Sequence, residues 1–341
     1  MVASGSIGPE EFHGRKRMKK RIAIAALVLA AVGAYAQGMF TWVDKVSDDK
    51  DKILPGVKPS AVTGTIITAG SSTVFPLSEA IAEQFKKDGF KGQITIDSIG
   101  SGAGFERFTK TGETDISNAS RAIKSSEVDQ AKAIGRNPIG FIIGTDALAV
   151  VVSRKNTFVT DVTAEELAKI FSTAVLWSDV RPEWPKREIK RFSPGTDSDT
   201  FDYFVEHVLN KKKELLLGAK NVQLSEDDNV LVRGVKDDPY AVGYFGAAYL
   251  EENKRTLKGV AVNGATPTEA NALSGKYVLA RPLFLYSDAK IINDKPQVAA
   301  FLTYYLTYVN TVIKKVGYFP AKPEDLKKSK QALADAMKGR F

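Results

Sequence analysis

Short β-type runs alternate with helical patterns along most of the chain, and this alternation limits the fold more than any other feature. Runs at 65–68, 94–99, 141–143 and 147–152 are separated by helical patterns at 77–87, 104–109 and 125–133. Strands that alternate with helices favour parallel α/β layers, because each crossover helix covers a face of the sheet. The pattern continues with helices predicted at 163–171, 200–209 and 267–273 and strands near 241–245 and 259–262. A long amphipathic stretch at 296–315 and a charged one at 323–337 close the chain.

Three stretches place small hydroxyl residues and glycines just ahead of predicted helices. They are Ala69-Gly70-Ser71-Ser72-Thr73, Gly100-Ser101-Gly102-Ala103-Gly104 and Pro194-Gly195-Thr196-Asp197-Ser198-Asp199-Thr200. A helix N-terminus leaves free N–H groups and a partial positive charge, so several such ends aimed at one point make an anion site that needs no metal. The same residue types also cap helices with no ligand involved. Thr163-Ala164-Glu165-Glu166 and Thr266-Pro267-Thr268-Glu269 read as capping boxes of that structural kind, the second with proline at the first helical position, and Ser125 and Ser126 read the same way.

The chain has 341 residues, 43% hydrophobic and 26% charged, enough for one large or two medium domains with a sizeable core. Its net charge of +8 is concentrated near the start, where Arg15, Lys16, Arg17, Lys19, Lys20 and Arg21 face only Glu10 and Glu11. No basic stripe interleaved with aromatics follows, which argues against a nucleic-acid partner. The apolar, small-residue run at 22–34 behind that cationic cluster ends in Ala34-Tyr35-Ala36, which fits a secretory signal cleaved after Ala36. An uncleaved anchor is the alternative, since Met39-Phe40-Thr41-Trp42-Val43 could lengthen the apolar stretch towards the roughly 20 residues that span a bilayer. Residues 1–17 read as an extension upstream of a start at Met18, and 37–62 as a polar, charge-alternating linker. Absence of cysteine removes disulfides, thiolate metal sites, cysteine nucleophiles and lipoprotein-type attachment. Of the two histidines, His13 precedes the signal and His207 reads as a packed or exposed helix residue, which argues against a Ser-His-Asp triad. No metal or cofactor is expected, and without a Gly-x-x-x-x-Gly-Lys-Ser/Thr loop nucleotide hydrolysis has no support.

Five segments occur in an order that resembles the periplasmic phosphate-binding proteins of ABC transporters. Thr68-Ala69-Gly70-Ser71-Ser72-Thr73-Val74-Phe75-Pro76 and Ile99-Gly100-Ser101-Gly102-Ala103-Gly104 come first, then Thr114-Asp115-Ile116-Ser117-Asn118-Ala119-Ser120-Arg121. The 194–201 segment follows, then Ala241-Val242-Gly243-Tyr244-Phe245-Gly246, with Ser274-Gly275-Lys276-Tyr277 running into Arg281-Pro282-Leu283-Phe284 as a further match. The resemblance covers about 63–318. It implies an α/β, two-lobed, venus-flytrap fold with a hinge of crossover strands near 142–146 and 281–285. Lobe I would comprise 60–143 plus 284–341, and lobe II 144–283. It implies a monomeric, non-enzymatic protein outside the cytoplasmic membrane that captures inorganic phosphate and hands it to an ABC permease with a cytoplasmic ATPase.

By position, Ser72, Thr73 and the backbone N–H of Val74 match the family's first phosphate contact, Ser101 the second, and Ser198 and Thr200 the contact that opens a second-lobe helix. Asp199 stands where the family has glycine. Arg121 follows Ser120 where many members carry aspartate, and Asp197 stands in a loop that in the family often supplies arginine and no acid. This suggests that the charges have exchanged places, Arg121 providing the cationic fork and Asp197 accepting the phosphate proton. Arg191 matches an arginine upstream of that loop, with a strand-end surface residue as its alternative. Rival readings keep the fold and change the anion to arsenate, sulfate or molybdate, or make the protein a secreted phosphatase or an anchored sensor.

Overall fold

The computed structural model describes residues 42–44, 47–225 and 227–338. The expected signal and its upstream extension lie outside the described residues. Nine strands form one mixed sheet: β1 (Thr65–Gly70), β2 (Gln93–Ser98), β3 (Ile116–Ala119), β4 (Pro138–Ser153), β5 (Lys190–Pro194), β6 (Val222–Ser225), β7 (Ala241–Gly246), β8 (Leu257–Gly259) and β9 (Ala280–Asp288). The order is β2-β1-β3-β9-β4-β7-β5-β6, with β8 on the free flank of β4. Neighbours β1, β2 and β3 are parallel, as are β7, β5 and β6, whereas β9 and β4 run antiparallel to their neighbours.

Strand β4 makes this sheet into two lobes. Its 16 residues are apolar almost throughout, as suits a strand covered on both faces. From Pro138 to Ala147 it pairs with β9, and from Leu148 to Val152 with β7. β4 and β9 are thus the crossover strands, with a register shift at Leu283/Phe284. The runs expected separately at 141–143 and 147–152 are this one strand. A segment that serves both lobes shows no break in hydrogen bonding, only in which neighbour it meets.

Separate cores confirm the division. In the first lobe, α1 (Phe75–Lys87), α8 (Pro296–Val316) and α9 (Pro323–Met337) cover one face of the sheet. Phe85 meets the rings of Phe90, Phe301 and Tyr304 at 4.8, 5.4 and 5.1 Å. Tyr304 and Tyr305 of α8 are buried there. The opposite face is covered by α2 (Gly100–Glu106) and α3 (Ser125–Ala133), with Phe105 and Phe108 packed on Ala119 and Tyr286. In the second lobe, α4 (Ala164–Ile170) and α5 (Asp199–Val208) cover one face, and α6 (Asp228–Lys236) the other.

Two sequence expectations need correction. The stretch 47–62, read as a linker, is packed on the first lobe. Leu54 joins its core, and Asp49, itself buried, meets Lys330 of α9 at 2.5 Å while accepting from the N–H groups of Ile53 and Leu54. Burial raises the Asp49 carboxyl and these hydrogen bonds more than reverse it, so the group stays below its ordinary range. An acidic run that looks solvated is here the counter-charge of a lysine 281 residues away. The second correction concerns the helix α7 (Glu269–Ser274), whose N-cap is Thr268 and not Thr266. Thr266 Oγ1 instead accepts from the Asn271 side chain. The box at Thr163 forms as expected, with Thr163 and Glu166 bonding reciprocally.

Candidate functional site

A cavity of about 570 Å³ lies between the lobes. Its first wall is made where the parallel strands β1, β2 and β3 end, and supplies Ser71 after β1, Gly100, Ser101 and Gly102 from the first turn of α2, and Ser120 and Arg121 after β3. Backbone contacts fix these loops against one another. Ser71 N–H donates to the Asn118 carbonyl at 2.9 Å, and Ile99 N–H to that of Gly70 at the same distance. Gly70, at φ +142°, lies so close to β3 that a Cβ would sit 2.0 Å from the Asn118 oxygen. A Cβ on Gly104 would fall 2.4 Å from the Gly70 Cα, so α2 packs directly on β1. These glycines allow two anion-type loops to share one place.

Ser101 Oγ accepts from the N–H of Ser120 at 3.0 Å and lies 3.3 Å from its hydroxyl. An oxygen that already accepts an N–H turns its own hydrogen elsewhere, as an anion donor must. Arg121 lines the cavity above the Phe105 ring, 4.8 Å from its centre. Its two Nη atoms donate to Glu127 at 2.9 and 2.7 Å. The hydrogen bond to Glu127 raises the Arg121 pKa further. Burial pushes Glu127 up, but the bonds from Arg121 and from Lys124 N–H outweigh it and hold the carboxyl below its ordinary value.

The second wall is the flank of α5, with Asp202, Tyr203, Glu206 and His207. His207 Nδ1 lies 3.0 Å from the Tyr203 carbonyl and its ring lies 4.0 Å from that of Tyr203. Sequence reasoning left His207 out of the site, yet it lines the cavity, because residues 203, 206 and 207 share one helical face.

Arg281, at the start of β9, closes the cavity at the crossover strands. Nε meets Asp146 at 3.1 Å, Nη2 donates to Thr73 Oγ1 at 2.6 Å, and the guanidinium lies over the Tyr203 ring at 4.2 Å. The sequence placed Arg281 in a family segment and on a crossover strand without assigning it to the site. A cation on an otherwise apolar crossover strand was the available signal.

The expected site residues therefore divide. Ser101 and Arg121 line the cavity, and Thr73, buried, is tied to it through Arg281. Ser72 is half-buried beside them and is not among the lining residues. The Val74 amide donates to the Ser71 carbonyl at 3.1 Å, so here it serves the start of α1. Asp197, Ser198 and Thr200 are not among the lining residues either. Ser198 is the N-cap of α5, its Oγ accepting from Thr200 N–H at 3.2 Å, and Asp197 is exposed.

Arg191 is neither surface cation nor cavity residue, which corrects both readings given for it. It is wholly buried and donates to the carbonyls of Ile170, Ala174, Ile189 and Lys220. Burial lowers its pKa to about 10, and four carbonyls, two of them at the end of α4 or just beyond, compensate the charge.

A ligand cleft between two α/β lobes joined by paired crossover strands defines a two-lobed solute-binding protein. A family model described as the PBP superfamily domain matches residues 56–308. Protein SphX of Synechococcus elongatus is 39% identical over 307 residues, covering 86% of this chain and 85% of that protein. The phosphate-binding protein PstS of Staphylococcus saprophyticus is 34% identical over 278 residues, covering 80% and 85%. The crystal structure of a possible phosphate binding protein from Planctomyces limnophilus superposes with a TM-score of 0.75 at 37% identity, covering 81% of this chain and 99% of that one. The chain belongs to the PBP superfamily, in the family of the SphX and PstS proteins.

Proposed function

We propose that the protein captures inorganic phosphate outside the cytoplasmic membrane and delivers it to the permease of an ABC importer. The observation that carries this reading is the first wall: in a chain whose relatives include a phosphate-binding protein, it presents Ser101 from the start of α2 and Ser120 and Arg121 from the loop after β3, held together by backbone bonds. Preorganised donors replace the hydration of an anion without reordering the protein. Lobe I is taken as 60–143 plus 284–341, extended back to 47 by the packed segment, and lobe II as 144–283. Contacts from both lobes favour closure about β4 and β9 when the anion binds.

Hydrogen phosphate at neutral pH still has a proton to donate and sulfate has none. The acceptor role expected of Asp197 passes in this reading to Asp202 and Glu206, the carboxylates on the cavity wall. A site that demands a hydrogen bond which its competitor lacks discriminates by roughly 10⁴ to 10⁵. Arsenate, which carries the same proton, is expected to compete. The reading involves capture without bond breaking, so a chromogenic phosphate ester is expected to be stable in its presence. Calorimetric titration with phosphate, repeated in excess sulfate at pH 7 to 8, tests it. One-to-one binding insensitive to sulfate is expected, and absent or sulfate-sensitive binding would remove phosphate as the ligand.

A further inference from the structure

Arg281 and Asp146 are cross-strand partners in the β9–β4 ladder, at the point where β4 leaves β9 for β7. Both side chains are largely buried, 13% and 9% exposed, yet Arg281 lines the cavity. Arg281 touches every part of the cleft's frame: Asp146 on the other crossover strand, Thr73 at the start of α1 in lobe I, and Tyr203 of α5 in lobe II. We propose that Arg281 is an anion-contacting residue of the cleft, and that Asp146 is its positioning residue, so that the ligand's charge is read by the hinge strands themselves.

The physical case rests on three contacts. The bond from Nε to Asp146 fixes the plane of the guanidinium, as a carboxylate does when it meets one edge of the fork. The face of Tyr203 limits its movement on the lobe II side and excludes water from it. Nη2 reaches Thr73, a residue of the first anion-type loop, so an anion lodged beside that loop lies within reach of the same fork. A buried arginine whose only task was to neutralise Asp146 would need neither the cavity nor the loop. Movement of either lobe also changes the distance from Arg281 to Thr73 or Tyr203, so binding and closure share one side chain.

This inference rests on the phosphate reading, and the test separates the two. Calorimetric titration with inorganic phosphate is run on the wild-type protein, Arg281→Gln, Arg281→Lys, Asp146→Asn and the double variant Asp146→Asn/Arg281→Gln, each with a thermal melt. Loss of a charged hydrogen bond to the anion predicts roughly tenfold to 100-fold weaker binding for Arg281→Gln. Arg281→Lys, which keeps the charge and loses the fork, should recover part of that loss. Asp146→Asn should weaken binding by itself and add nothing in the Arg281→Gln background, because Asp146 acts through Arg281. The double variant leaves no unpaired buried carboxylate, so it keeps the test readable if Arg281→Gln alone folds poorly. If wild-type protein binds phosphate and the folded Arg281→Gln or double variant binds within threefold of it, this inference is overturned while the phosphate reading stands. If wild-type protein binds none, the phosphate reading falls and takes this inference with it.

Discussion

The two walls of the cleft are built on different principles. The first consists of two loops and the first turn of α2 at the ends of parallel strands, locked by backbone bonds and by glycines that allow contact with no side chain between them. The second is the flank of one helix and presents charged and aromatic side chains whose backbone is satisfied within the helix. A hydroxyl residue stands at a helix start in both, Ser101 in the first turn of α2 and Ser198 at the N-cap of α5. At Ser101 the turn lines the cavity, and at Ser198 it caps α5 and the cavity begins a turn later. In these two cases a hydroxyl residue marks a helix start, and it lines the cavity only where neighbouring strands bring such starts together.

The largest effect that would break this comparison belongs to Arg191, which is buried away from the cavity. Arg191→Met leaves four buried carbonyls without their donor and should cost about 4 kcal/mol of stability, read by urea unfolding, while the protein that remains folded keeps its phosphate affinity. A loss of affinity with unchanged stability would return Arg191 to the site. On the first wall, Ser101→Ala should weaken phosphate binding about tenfold by calorimetry with little change in melting temperature. An equal effect from Ser198→Ala would mean that the start of α5 reaches the anion after all. On the second wall, Asp202→Asn with Glu206→Gln should narrow the preference for phosphate over sulfate in competition titrations, and Asp197→Asn should leave it in place. The reverse pattern would restore the exchanged-charge idea in its original form.

The smallest effect is on acid stability. Glu127 is held below its ordinary pKa in the folded protein, so its contribution is present above the ordinary carboxylate value of 4.5 and is lost as pH falls through the lower folded value. Glu127→Gln should therefore reduce stability by about 0.5 to 1 kcal/mol at neutral pH and much less in acid, as followed by unfolding at pH 7 and pH 3. A pH-independent change would assign the loss to packing.

Much of the layered fold was legible because periodicity reports which faces are buried. The helices α3 and α9 appear where the pattern put them, while the crossover strands at 142–146 and 281–285, which the family resemblance implied, lie within β4 and β9. Charge was harder to read. Arg191 looked like a ligand cation by its place before a loop, and Asp48-Asp49-Lys50-Asp51-Lys52 like a solvated tether. In both cases the deciding partner is remote: the end of α4 for Arg191, and Lys330 for Asp49. Local sequence carries no sign of either. Arg281 did carry a local sign, a cation in an otherwise apolar run, but its meaning depends on Asp146, 135 residues away. Ser101 and Arg121, expected from their places in family segments, line the cavity because the sheet sets the ends of those segments side by side.

A crystal structure of the protein with bound phosphate addresses the central claim most directly. It should show one anion between the walls, within hydrogen-bond distance of Ser101 on the first and Arg281 at the crossover strands, with α5 drawn over it. Phosphate bound outside this cleft, or held in it without either residue, would contradict the account.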